Sequence, residues 1–263
     1  MGMFWRGLHK FNLLEAIGAF LFPGYDANYS FDFKADDTAK YPIGTIMRVG
    51  KKEFIYAKAA GTLKTYTGVK NSLKQKVDNC AVQANYAAGV KKITITSAIS
   101  CTLDELVGGE VVVFVSATES FTRGIVGNSA MTATDTLTLY LDHPTPIAIT
   151  TAMTAEAIAS PYSAVVTLTG SGITEFTPVM GVPMVAATTG QFVWLQVSGL
   201  MWLAPEAQVG TEANAMELCF GGDGAIRTRD SGTPGQQRAG IIVSTSHAGG
   251  TQGAPFIMLN IDH

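Results

Sequence analysis

The stretch TIMRVGKKEFIYAK, from Thr45 to Lys58, holds two short runs rich in Ile, Val, Phe and Tyr, namely Thr45–Val49 and Glu53–Lys58, separated by Gly50 and two lysines. Runs of β-branched and aromatic residues bounded by glycine and polar residues are the mark of strands. The same texture recurs downstream in Lys92–Thr96, Glu110–Val115, Arg123–Val126, Thr136–Leu141, Ile147–Thr150, Ala164–Thr169, Gln191–Val197, Ala215–Phe220, Gly240–Ser244 and Pro255–Ile261. Many short strands with few helices predict a mainly β chain built as barrels or sandwiches. Lys70–Ala88 stays open, because its lysine spacing allows a helix while its Asn, Gln and Gly content disfavours one. The unbroken apolar runs Val111–Val115 and Phe192–Leu195 predict strands covered on both faces. The Gly-Gly pairs at 108–109, 221–222 and 249–250 read as tight turns, since no phosphate-cradling glycine motif surrounds them.

Over 263 residues the chain is 47% hydrophobic and only 15% charged, which excludes intrinsic disorder. So small a charged fraction also predicts that part of the surface faces other proteins. The net charge of −3 is unevenly spread: residues 41–105 carry ten Lys+Arg against four Asp+Glu, and residues 106–263 carry four against twelve. These shifts predict an N-terminal arm at 1–40, a small basic β-rich module at 41–105 and a barrel or sandwich body at 106–263. Within the basic module Arg48, Lys51 and Lys52 are candidates for contact with an acidic partner, beside the plainer reading of a solvated lysine face. A pI near 5.8 argues against nucleic acid as that partner.

The first residues, MGMFWRGLHKFNLLEAIGAFLFPGY, place Phe4, Leu8, Phe11, Leu14 or Ile17, and Leu21 at spacings of three and four before Pro23-Gly24. That pattern predicts a short amphipathic helix or an arm. Glu15 interrupts the apolar run, so neither a signal peptide nor a membrane anchor fits, and no membrane partner is expected. Phe4, Trp5, Leu8, Phe11 and Phe20 are candidate anchors on another subunit, with packing on the chain's own domain an equal alternative. Cys80, Cys101 and Cys219 are odd in number and lack metal-ligand spacing, which predicts free thiols in a reducing compartment.

Catalytic apparatus is sparse. The four histidines, His9, His143, His247 and His263, are widely separated, and Asp142-His143-Pro144 reads as a turn because no nucleophile elbow accompanies it. Asp223 and Asp230 lack the spaced oxygen ligands of a calcium loop. No catalytic residue, metal or cofactor is therefore expected.

Two stretches carry a likeness that composition cannot supply. Residues 42–63, PIGTIMRVGKKEFIYAKAAGTL, and residues 181–199, GVPMVAATTGQFVWLQVSG, resemble paired motifs of structural proteins of tailed bacteriophages. Gly89–Thr96, Val107–Val113, Ile125–Asn128 and Leu137–Leu141 fall between them in matching order. Phe192 stands where tyrosine is usual, and Val197-Ser198 departs from the usual pair. The resemblance implies a non-enzymatic virion component, assembled in the host bacterial cytoplasm, of the capsid decoration or cement type. Its implied partners are the major capsid protein and neighbouring copies of itself, a homotrimer among the options. A head-fibre or tail-associated protein that binds host glycan is the alternative, with Trp202 and Tyr162 as its candidate aromatics.

Overall fold

The computed structural model describes residues 33–72, 77–97, 99–132, 135–169, 178–206, 209, 216–229, 237–243 and 256–261. Among them are sixteen strands and no helix, so the mainly β expectation holds. The chain divides into two compact units: one joins the chain up to Ser72 with Ala164 onward, and the other is Leu73–Ser163. The boundaries expected at 40/41 and 105/106 do not coincide with these. The basic run 41–105 contributes to both units, so it is not a module of its own.

In the inserted unit the strands are β4 (Val77–Ala81), β5 (Lys92–Ser97), β6 (Glu110–Phe114), β7 (Ser120–Asn128), β8 (Asp135–Leu141) and β9 (Thr154–Ile158). They form one antiparallel sheet in the order β4-β9-β6-β7-β8-β5. Its two edge strands approach each other where Val82, just past β4, bridges to Ile95 in β5, so the sheet curls upon itself. Period-two patterning explains the closure: Ile93, Ile95, Leu137, Leu139 and Leu141 point inward, while Lys92, Tyr140 and their neighbours point out. Ile93 faces Leu139 and Ile95 faces Leu137 across the ladder. Opposite them Val111 and Val113 pack beside the small Ala157 and Ala155. The loop 101–106 is clasped by the fully buried Asn128, whose Nδ2 donates to Thr102 O (2.8 Å) and Ser129 O (2.9 Å) while Oδ1 accepts from Leu106 N (2.8 Å).

The other unit contains β1 (Ile46–Val49), β2 (Lys52–Lys58), β3 (Val69–Asn71), β10 (Val165–Thr167), β11 (Val179–Pro183), β12 (Phe192–Trp202), β13 (Glu217–Phe220), β14 (Ile226–Thr228), β15 (Arg238–Ile242) and β16 (Phe256–Asn260). The order β10-β3-β11-β12-β16-β15-β13-β14 branches at β12, which also pairs with β2, and β2 with β1. This sheet curls too. Ala204–Glu206, the continuation of β12, pair with Ile226 of β14, and Gly68 N donates to Gly224 O at 2.7 Å. Gly224 sits at φ +80°, and a Cβ there would meet the Gly68 backbone, so glycine is required at this closure. Met201, Leu203, Leu218, Phe220, Ile226, Ile242, Ile257 and Leu259 fill the interior.

Several strand expectations need correction. Val111–Val115 is not covered on both faces: burial alternates along β6, because a curled antiparallel sheet has one inner face. Phe192–Leu195 is covered on both, by the core on one side and by Tyr41 and Tyr56 on the other. Ile147–Thr150 gives only an isolated bridge from Ile149 to Tyr86. In the open Lys70–Ala88 stretch the described residues include β4 and the end of β3 rather than a helix. The N-terminal arm or helix, residues 1–32, lies outside the described residues.

The inserted unit, Leu73–Ser163, leaves and re-enters the chain of its host at one point. Ser72 N and Oγ both donate to Ala164 O at 2.9 Å, and Asn71 faces Val165 across β3 and β10. An insertion with adjacent ends and its own core folds without its host. The excised fragment 73–163 is therefore expected to give a β-type far-UV circular dichroism spectrum and a cooperative thermal transition; a disordered fragment would contradict the division. At Gly109 an added Cβ would strike the Ile158 carbonyl of β9. Gly109→Ala should destabilise the excised unit by about 1–3 kcal/mol in denaturant unfolding.

Candidate interaction face

β12 is the longest strand, and its alternate residues define two faces. Val193, Leu195, Val197, Met201 and Leu203 are buried inward. Phe192, Trp194, Gln196, Leu200 and Trp202 lie on the outer side. The first half of that outer side is roofed by the chain's own residues 33–41. Tyr41 packs against Tyr56 at 5.2 Å and Trp194 at 5.3 Å between ring centroids, and Tyr56 stacks near Phe192 at 5.9 Å. Asp36 bonds Phe192 through both backbone groups, at 2.9 and 2.8 Å. Phe33 lies on Phe54 at 4.9 Å. Such aromatic pairs are worth about 0.5–1.5 kcal/mol each beyond the area they bury. Tyr56 is wholly enclosed, and burial pushes its phenol above the usual range, offset in part by the Lys40 N–H that donates to it at 3.2 Å.

The second half of the outer side has no such roof among the described residues. Leu200 faces Met258 of β16, which faces Ile241 of β15; Trp202 faces Phe256, whose carbonyl accepts from Val243 N. Cross-strand neighbours on one face touch, so these six side chains make two adjacent apolar rows. Phe256 is 51% exposed, Val243 53%, Leu200 and Ile241 41%, and Met258 38%. Isolated exposed apolar residues are ordinary, whereas a contiguous three-strand patch marks a contact surface. Two shallow apolar grooves flank it. Phe33, Val49, Lys51, Lys52 and Phe54 line one with Leu200 and Met258, and Tyr66 and Met184 line the other with Trp202 and Phe256.

Of the basic candidates, Arg48 is ion-paired across β1 and β2 with Glu53 (Nε to Oε2, 2.7 Å), which blunts its charge. Lys51 is exposed beside the Gly50 turn, and Lys52 is half-buried along the groove. The sequence therefore named three basic residues of one hairpin but not the apolar rows behind it, since Leu200, Ile241, Phe256 and Met258 are far apart in the chain. Phe4, Trp5, Leu8, Phe11 and Phe20 lie outside the described residues. Tyr162, a candidate glycan contact, is buried, and Trp202 meets Tyr66 edge-on at 5.4 Å.

Asp142-His143 is a turn clasp. The His143 ring, with Nδ1 3.0 Å from Asp142 Oδ2, holds the carboxyl below the usual range, assisted by the His143 and Gly124 amides. Asp223 accepts from Ala225 N at 2.9 Å and so closes its own turn; Asp230 lies outside the described residues. Among the described residues no group of three or more His, Cys, Asp or Glu side chains could hold a metal ion. In comparisons with family models, curated proteins and solved structures, nothing matches the chain.

No disulfide joins the three cysteines. Cys219 is buried, and desolvation pushes its thiol above the ordinary range, while Cys101 is also enclosed and Cys80 is partly accessible. Thiolate character and access govern alkylation. Iodoacetamide on the folded protein should modify Cys80 first by peptide mass spectrometry, with Cys101 and Cys219 reacting only on unfolding.

Proposed function

We propose that the protein is a non-enzymatic structural component of a tailed-phage virion that binds the outer capsid surface and stabilises the coat lattice. The observation that carries this reading is spatial. The two stretches that resemble phage structural proteins are far apart in the chain, yet they form one block of strands: Phe54–Lys58 of β2 lie opposite Phe192–Gln196 of β12, and Val182 and Pro183 of β11 flank Gln196 and Leu195. The likeness is thus carried by strands that pair within one architectural unit. The large apolar fraction and the contact surface on the same unit suit a protein whose work is done through interfaces.

Genome packing strains coat subunits apart. A protein that touches two or more of them adds contact area that must be lost before the shell opens, and linked contacts gain from effective concentration. The β1–β2 hairpin, with Lys51 exposed at its turn and Lys52 beside it, is the element assigned to an acidic coat surface.

Purified protein should co-sediment with capsids stripped of it, saturating at a simple ratio to coat subunits and weakening as salt rises. Lys51→Glu combined with Lys52→Glu should weaken binding about tenfold. Absence of saturable binding would reject the decoration role, and only a few copies per particle would assign the protein to a tail or fibre.

A further inference from the structure

We propose that the apolar rows on β12, β16 and β15 are the centre of an interface for a protein surface that carries carboxylates on both sides of an apolar core. Arg227, Arg229 and Arg238 grip that surface at one margin, and Lys51 and Lys52 at the other. The inference deepens the proposed function and rests on it, the partner surface being that of the coat.

The arginines are few and gathered. Residues 106–263 hold four basic residues, and three of them, Arg227, Arg229 and Arg238, fall on or beside β14 and β15, the two neighbours of β13. Arg229 Nη1 lies 2.8 Å from Glu217 Oε2 and Arg238 Nε lies 3.2 Å from Glu217 Oε1, so two guanidinium groups share one carboxylate. Arg227 stands two positions before Arg229 and shares its face. Its Nε is buried without a hydrogen-bond partner. Three cations against one carboxylate leave two positive charges among the described residues of this face. Glu206 and Asp223 stand instead at the β13–β14 turn, where Asp223 accepts from Ala225 N.

A β-bulge sets these arginines beside the apolar rows. Glu217 faces Ile241 and Leu218 faces Gly240, but Cys219 faces Arg238. Ala239 is the extra residue; without it Arg238 and Ile241, three positions apart, would project from opposite faces. Gly240 permits the shift, since its φ is +153° and an added Cβ would strike the Met258 carbonyl. Ile241 in turn faces Met258, and Met258 faces Leu200. One line across five strands therefore reads Arg229, Glu217, Ile241, Met258, Leu200, a span of about 19 Å. Lys52 adjoins Leu200 in both grooves, and Lys51 in one of them.

An apolar centre with an arginine-bearing polar margin is the anatomy of a protein interface. Guanidinium forks pair with carboxylates through two parallel hydrogen bonds. The charges also choose between occupants. A second copy stacked face to face would set basic margin against basic margin, and like charges in contact cost affinity. Nucleic acid would leave Leu200, Ile241 and Met258 without an aliphatic counterpart, and a chain with a pI near 5.8 repels it. Because the sheet curls, its outer face is convex, so a partner that touches both margins is concave.

Co-sedimentation of the full chain with stripped capsids separates this inference from the reading beneath it. Arg229→Gln with Arg238→Gln should weaken binding about fivefold at low salt and flatten its salt dependence. Glu217→Gln removes the carboxylate that competes for both arginines and should tighten binding, whereas a merely structural cluster would lose affinity in either variant. Ile241→Asp, at an exposed position, should abolish binding and serves where the other variants lose cooperative thermal unfolding. Binding by wild type that these changes leave unaltered would overturn the inference and spare the decoration role. Failure of wild type to bind would reject both. Binding of a short DNA duplex that the double Gln variant loses would give the arginines to nucleic acid, and wild-type dimerisation lost in Ile241→Asp would give the rows to a second copy; either overturns the inference.

Discussion

The hydrogen-bond ladder of β12 is the constraint around which the larger unit is organised. Its first half is paired along β2 from Phe192 to Ser198, its middle touches β11, and its second half runs along β16 from Ser198 to Trp202. Ser198 takes part in both long pairings, and the register to β2 shifts just before it. At Gly199, φ is +99° and an added Cβ would press on Lys51 and Lys52. One strand thus joins the β1–β2 hairpin to the curled β16-β15-β13-β14 sheet, and Ala204–Glu206 beyond it close that sheet on β14. Every inward residue of β12 serves a core, so the outer residues alone are left to decide what covers the strand.

That division of labour links packing to function. The outer aromatics Phe192 and Trp194 are satisfied by Tyr41, Tyr56 and the backbone of Asp36, whereas Leu200 and Trp202 continue the same face into exposed apolar rows. Burial of apolar area yields about 25 cal/mol per Å², so a surface of this kind is a standing source of binding free energy. The described polar groups point the other way. Asp142, Asp223, Asn128 and Glu53 each spend their hydrogen-bonding capacity on turns, a loop clasp or a neighbouring arginine.

The inserted unit follows the same physics at smaller scale. Its sheet closes because alternating Ile, Leu and Val line one face, with alanines where β9 must approach β6. Its junction with the host is a pair of adjacent antiparallel strands, β3 and β10, which lets an insertion leave the surrounding sheet intact.

Strand identity was legible in the sequence because it depends on local residue type: Thr45–Val49, Glu53–Lys58, Lys92–Thr96, Thr136–Leu141 and Gln191–Val197 all correspond to observed strands. Short or weakly patterned strands escaped, among them Val69–Asn71, Val77–Ala81 and Thr154–Ile158. Their residues carry little hydrophobic period, and long-range pairing makes them strands. The basic hairpin was legible as a cluster because Arg48, Lys51 and Lys52 are neighbours in sequence, but the loss of Arg48 to Glu53 was not. What the sequence by itself determined is the mainly β class, the turns and the apolar segments to be buried, since period-two patterning and turn chemistry act over a few residues. What only the tertiary structure decided is the insertion at Ser72–Ala164 and the apolar rows on β12, β16 and β15. Both arise from pairing between residues distant along the chain, and no local pattern encodes which strand a given strand will meet.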